Sequence, residues 1–125
     1  MSVETMFTVI PLIGTTDGSG TTLTVTATRA VNGLLYGIHE DKGTLSDGVD
    51  LTLAVIQSEE PKTIITLTDA NTDNNALYPR SSSCGDTGVS NSDNLIMKAV
   101  VGTLQLTIAQ GGNSHKGGVY VYVME

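Results

Sequence analysis

The sequence predicts an all-β fold: one antiparallel β-sandwich domain over residues 1–125, jelly-roll-like, with an immunoglobulin-like arrangement as the alternative. Three observations carry this expectation. Charged residues make up only 15% of the chain, while threonine occurs 18 times and glycine 14 times. β-Branched side chains suit a pleated surface, whereas a helical bundle needs more Glu, Lys, Ala and Leu. Apolar residues also recur at every second position in several short stretches, and polar or glycine-containing clusters separate those stretches.

The elements follow in order. Residues 6–13 are mostly apolar but contain Pro11, which has no N–H to donate to a ladder. Residues 1–13 are therefore expected to form an edge strand or an N-terminal arm. Residues 14–20 read as a turn. From Thr22 to Thr28 the pattern alternates strictly, with Leu23, Val25 and Ala27 on one face and threonines on the other. Asn32-Gly33 accepts positive φ at both central positions, so it predicts a hairpin turn before Leu34, Tyr36 and Ile38 alternate again.

Residues 40–48 form a polar turn with Gly43 and Gly48, and Val49, Leu51, Leu53 and Val55 resume the period of two. Glu59-Glu60-Pro61 breaks the chain ahead of a strand at Ile64–Leu67. Residues 69–94 are the least regular part, and a long loop in a compact domain is more often functional than idle. Leu95–Val101 is an apolar strand, Gly102 marks a bulge or bend, and Leu104, Leu106 and Ile108 alternate after it. Gly111–Gly118 is a glycine-rich turn. The last strand places Val119, Val121 and Val123 on one face and Tyr120 and Tyr122 on the other. The sum is seven to nine short strands.

Charge excludes two partner classes. Six Lys and Arg stand against 13 Asp and Glu, a net charge of −7, which repels nucleic-acid phosphates and anionic membranes alike. No apolar run is long enough to span a bilayer as a helix. The start, Met-Ser-Val-Glu-Thr, lacks the basic and apolar regions of a secretory signal. The single cysteine, Cys84, has no internal disulfide partner, so a reducing cytoplasm, or a particle assembled there, is the expected setting.

No motif carries chemistry. Asp69-Ala-Asn71-Thr-Asp73 opens like a calcium loop, but Asn74 stands where glycine is needed and Arg80 where a bidentate Glu is needed. A polar turn built on Asx hydrogen bonds is the expectation there. His39-Glu40-Asp41 lacks a second zinc ligand at suitable spacing, His115 lies far along the chain, and both histidines are expected in exposed turns. Ser81-Ser82-Ser83-Cys84 offers nucleophiles without a G-x-S-x-G elbow or a placed base, and reads as a flexible serine loop. The expectation is no catalytic residue, no cofactor and no metal.

The candidate protein-interface residues are Phe7, Tyr78, Arg80, Tyr120 and Tyr122. Aromatic residues are 4% of the chain and Arg29 is the only other arginine, so these side chains are its scarce anchors. Tyr120 and Tyr122 form a two-ring ladder if their face points outward, or cover a second sheet or a loop if it does not. Arg80 is either an interface anchor or a structural partner of a local carboxylate such as Asp86.

The order of motifs is itself informative. Asn32-Gly-Leu-Leu-Tyr-Gly-Ile38 is followed by Gly43-Thr-Leu45 and Gly48-Val-Asp-Leu-Thr-Leu53, then by Ile64-Ile-Thr-Leu67. Tyr78-Pro-Arg80, Asp86-Thr-Gly88, Val101-Gly-Thr-Leu-Gln-Leu106 and Gly117-Gly-Val-Tyr-Val-Tyr-Val123 complete the series. Taken together, these motifs resemble small virion structural proteins from the head gene modules of tailed bacteriophages, over roughly residues 32–124. The resemblance implies a non-enzymatic β-sandwich particle component: a capsid decoration (cement) protein that binds and stabilises the head shell. A neck or tail component, or a carbohydrate-binding module, are the alternatives. It further implies the major capsid protein or other virion proteins as partners, a homo-oligomer with a trimer favoured, and a virion location after assembly in the bacterial cytoplasm. Apolar residues Met6–Ile13 would suit an arm that adds a strand to a neighbouring subunit.

Overall fold

The computed structural model describes residues 7–17, 22–68, 70, 76–84 and 90–125, with side chains left aside at 82–84 and 90–94. Among these residues eight strands follow in chain order: β1 (Phe7–Thr15), β2 (Leu23–Asp41), β3 (Asp50–Gln57), β4 (Glu60–Leu67), β5 (Ala76–Leu77), β6 (Arg80–Cys84), β7 (Ser90–Ala109) and β8 (Lys116–Met124). They form an open, wholly antiparallel sheet in the order β1-β8-β2-β7-β3-β4, with β5 added to β2 and β6 to β7.

The expected strand count holds, but the strands are not uniformly short. β2 runs for 19 residues and β7 for 20. Each is long because it serves two sets of neighbours. The first part of β2, Leu23–Leu35, pairs with β7, and the last part, Leu34–Asp41, pairs with β8. Likewise β7 pairs with β6 up to Met97 and with β3 from Thr103 to Ala109.

Bulges mark the hand-over points. The β2–β7 register slips between Thr26 and Ala30, and the β2–β8 register between Leu35 and Gly37. Extra residues in one strand bend it and increase its twist. Gly102 sits where β7 leaves β3. Its φ is +135°, and a Cβ there would lie 2.2 Å from the carbonyl oxygen of Ile56. The bend expected at Gly102 is thus a position that excludes any larger residue.

Alternation places the core. Ile10 and Leu12 of β1, Val119, Val121 and Val123 of β8, and Leu35 and Ile38 of β2 are buried. So are Leu51, Leu53 and Val55 of β3 and Val100, Leu104, Leu106 and Ile108 of β7. All belong to one cluster, joined by Leu45 and Val49 from the loop between β2 and β3. A flat sheet cannot bury one of its faces unaided. No helix is present among the described residues, so the buried cluster is built from strands and this loop.

Three local expectations are corrected. Asn32-Gly33 makes no turn and lies inside β2. Its glycine is there because a Cβ would sit 2.1 Å from the Met124 carbonyl oxygen. The hairpin turn is instead Ser58-Glu59, between paired Gln57 and Glu60, with φ of 49° and 68°. The serine run is not a flexible loop, since β6 pairs it with β7. His39 and Glu40 are strand residues rather than turn residues, with Glu40 1% exposed. As for the N-terminal segment, Phe7–Thr15 is an edge strand that pairs only with β8 among the described residues, which is why Pro11 is tolerated.

Candidate functional site

The register of β1, β8 and β2 fixes which side chains share the outer face. Val9 pairs with Tyr122, which in turn pairs with Gly37; Pro11 pairs with Tyr120, which pairs with His39. Because Val119, Val121 and Val123 point into the core, Tyr120 and Tyr122 point away from it. Both are half-buried, and each lines a different hollow.

The first feature of this face is an aromatic strip. Phe7 of β1 and Tyr36 at the β2 bulge have ring centroids 4.8 Å apart with planes tilted by 57°. Tyr36 then meets Tyr78 at 5.8 Å, with planes at 83°. The Arg80 guanidinium lies 5.9 Å from the Tyr78 centroid. Its Nη1 donates to the carbonyl oxygens of Tyr36, at 3.0 Å, and Pro79, at 2.9 Å. These are charge-assisted bonds, and they fix the guanidinium between the two tyrosines. Arg80 therefore has backbone carbonyls as its partners among the described residues; Asp86 lies outside them.

Aromatic packing does not hide the strip. Phe7 is 36%, Tyr36 41% and Tyr78 56% exposed. A hollow of about 220 Å³ opens between Tyr36, His39, Ala76, Tyr78 and Tyr122. A shallow groove of about 540 Å³ runs on between Leu34, Tyr36, Arg80, Leu95 and Ile96. Of the five residues expected at an interface, Phe7, Tyr78, Arg80 and Tyr122 thus converge around one residue that was not among them, Tyr36. Its position on the outer face follows from the one-residue bulge in β2, which plain alternation does not reveal. Tyr120 stands apart, in a second cleft with Pro11, Ile13, Asp41, Thr44 and Lys116.

The polar groups are arranged for structure. His115 Nδ1 lies 3.1 Å from the Gly111 carbonyl oxygen and 3.3 Å from Ser46 Oγ. A proton on Nδ1 that serves the carbonyl leaves that nitrogen no lone pair with which to activate the serine. His115 is half-buried rather than exposed, and its backbone is clamped to Thr16: the Thr16 amide donates to its carbonyl, and its own amide donates to Thr16 Oγ1. Among the described residues no group of three or more His, Cys, Asp or Glu side chains is placed to hold a metal ion. The Asp69–Asp73 loop lies outside the described residues apart from Ala70, whose amide donates to the Val49 carbonyl at 2.8 Å.

No protein-family model, no curated protein and no solved structure matches the chain.

Proposed function

We propose that the chain is a non-enzymatic structural protein of a bacteriophage particle, a decoration (cement) protein that docks on the head shell through the Phe7–Tyr36–Tyr78–Arg80 strip. The observation that carries this reading is the strip itself. Linked rings and a pre-positioned arginine stand beside open hollows on the outer face of the sheet. Aromatic and arginine anchors beside fillable pockets are what protein interfaces draw their energy from. A contiguous exposed apolar patch calls for a partner. The virion setting rests on the motif order, and the net charge of −7 suits the outside of a DNA-filled shell better than its interior. The shell protein would be the partner, with a trimer of this chain as the docking unit.

The sheet itself is read here as a jelly-roll sandwich. The support is the strand pairing. Divide β2 and β7 at their bends, and β1, β8, the end of β2 and the start of β7 form one run. The start of β2, the end of β7, β3 and β4 form the other. That is the nested order of a long hairpin wrapped into two four-stranded layers. Such a body is stiff and needs no pocket chemistry, as a lattice-binding component requires.

The deciding experiment is the copy number of the chain in purified particles, measured by quantitative mass spectrometry against the major shell protein. A ratio of one, or a simple fraction of one, is expected. A ratio of a few per cent would move the chain to the neck or tail, and complete absence would overturn the virion reading.

A further inference from the structure

The second cleft of the outer face is a separate site. Two residues without side chains, Gly43 and Gly117, help to line it. Gly118 pairs with Ile13 on one side and Asp41 on the other, and its neighbours on the same face of β8 are Lys116 and Tyr120. A Cβ at Gly118 would lie 2.0 Å from the Leu12 carbonyl oxygen, so the position is closed to larger residues. The side chains of Ile13, Asp41, Lys116 and Tyr120, with those of Pro11 and Thr44, border an open hollow of about 550 Å³. That volume lies in the range of small-molecule clefts, roughly 300–1,000 Å³.

The chemistry of the lining narrows the ligand. Tyr120, Pro11 and Ile13 give an apolar floor with one aromatic ring. Asp41 accepts hydrogen bonds only, and Lys116 donates only. The two opposite charges share the cleft without forming an ion pair with each other. Thr44 is committed elsewhere, since its hydroxyl accepts from the Lys116 amide at 2.8 Å. A ligand that satisfies this set must offer a flat apolar face to Tyr120 and groups that both donate and accept. It should carry no net charge, because either sign would meet one repelling partner. A hydroxylated six-membered ring fits: its C–H face stacks on tyrosine, one hydroxyl donates to Asp41 and another accepts from Lys116.

We infer that this cleft binds a neutral pyranose sugar, with Tyr120 as the stacking platform and Asp41 and Lys116 as the polar contacts. The inference is independent of the docking strip, which uses other residues.

The test is a titration of the full chain, labelled with ¹⁵N, with methyl glucoside, methyl galactoside, methyl mannoside and N-acetylglucosamine. Saturable amide shifts confined to residues 12–14, 41–44 and 116–120 are expected from at least one of them. Tyr120→Ala should weaken that binding about tenfold or more, equivalent to about 1.4 kcal/mol. Asp41→Asn and Lys116→Gln, both surface changes, should each weaken it less, and Tyr78→Ala should leave it unchanged. Glycine, a zwitterion that could satisfy both charges without stacking, serves as the control. Failure of all four sugars to shift those amides overturns the inference. So does saturable binding of glycine in their place, or unchanged sugar affinity in Tyr120→Ala and Asp41→Asn.

Discussion

The rings of Tyr36 and Tyr78 meet edge to face, 5.8 Å between centroids, although 42 residues separate them in the chain. Tyr36 stands on a bulged strand, and Tyr78 lies just before the short strand that carries Arg80. The contact therefore ties an irregular segment to the sheet. Such pairs contribute about 0.5–1.5 kcal/mol beyond their burial. A double-mutant cycle with Tyr36→Leu and Tyr78→Leu in urea should return a coupling in that range. Strict additivity would mean that the rings touch without supporting each other.

Arg80 should matter to this pairing more than its exposure suggests. Its Nη1 bridges the carbonyls of Tyr36 and Pro79, so truncation removes this donor from both and the cation from beside the Tyr78 ring. Arg80→Ala should cost about 1 kcal/mol in urea unfolding, the ordinary net value of a hydrogen bond. Arg80→Lys should recover only part of this, since an ammonium cannot serve two carbonyls and a ring from one plane. Full recovery by lysine would show that charge alone suffices. In a particle-binding assay the alanine variant should also reduce docking, as should Tyr78→Ala.

Stability should depend on pH through Glu125. Its carboxylate accepts hydrogen bonds from the Arg29 guanidinium, from Thr8 and from the Asn32 amide, which hold its pKa at about 2 against an ordinary 4.5. A depressed pKa means that the folded state favours the ionised form. The contribution is complete above pH 4.5 and is lost as the pH falls towards 2. Glu125→Gln should lower stability at neutral pH, where the ionised carboxylate contributes in full, and flatten the profile between pH 4.5 and 2, where the parent loses that contribution. The effect should shrink in high salt, because Arg29 is half exposed. An unchanged acid limb in the glutamine variant would assign the loss to other carboxylates.

Glycines that look alike in sequence should respond differently to alanine. At Gly102 the obstacle is a backbone carbonyl at 2.2 Å, and φ is +135°. At Gly14 a Cβ would meet only the side chains of Val25 and Leu23, which can rotate away. Gly102→Ala should lose about 3 kcal/mol or fail to fold, whereas Gly14→Ala should stay within about 1 kcal/mol of the parent. Thermal or urea unfolding of the two variants checks this, and equal losses would contradict it.

Much of the architecture is legible in the pattern of residues. The alternation at Val49–Val55, Leu104–Ile108 and Val119–Val123 marks faces that are buried. Pro11 marks an edge, and Gly102 a bend. What escapes is anything set by long-range register. Tyr36 reaches the outer strip only because β2 bulges against β8. Tyr120 and Tyr122 share a face yet line separate hollows, one bordered by Ile13, Asp41 and Lys116 and the other by Tyr36 and Tyr78. Asn32-Gly33 carries the residues of a tight turn, but its glycine answers to the Met124 carbonyl. Local chemistry permits a turn there; a partner strand arriving from the far end of the chain decides against it.

The real two-residue turn, Ser58-Glu59, supplies the last prediction. Both residues have positive φ, 49° and 68°, the signature of the type I′ hairpin whose twist matches its flanking strands. Neither is glycine or asparagine. An L-residue with a Cβ is disfavoured in this region by roughly 1–2 kcal/mol, and asparagine and glycine escape most of that cost. The flanking pairs Gln57–Glu60 and Ile56–Pro61 are already in register, so the backbone does not have to move. The combined change Ser58→Asn and Glu59→Gly should therefore stabilise the chain by about 1 kcal/mol, even though glycine also raises the entropy of the unfolded state. The measurement is the urea midpoint at constant slope. The reverse test is Glu59→Val, which places a β-branched residue at φ 68° and should destabilise by a similar amount or more. If the double variant were no more stable and the valine variant no less so, the turn would not hold the positive φ values that the hairpin requires.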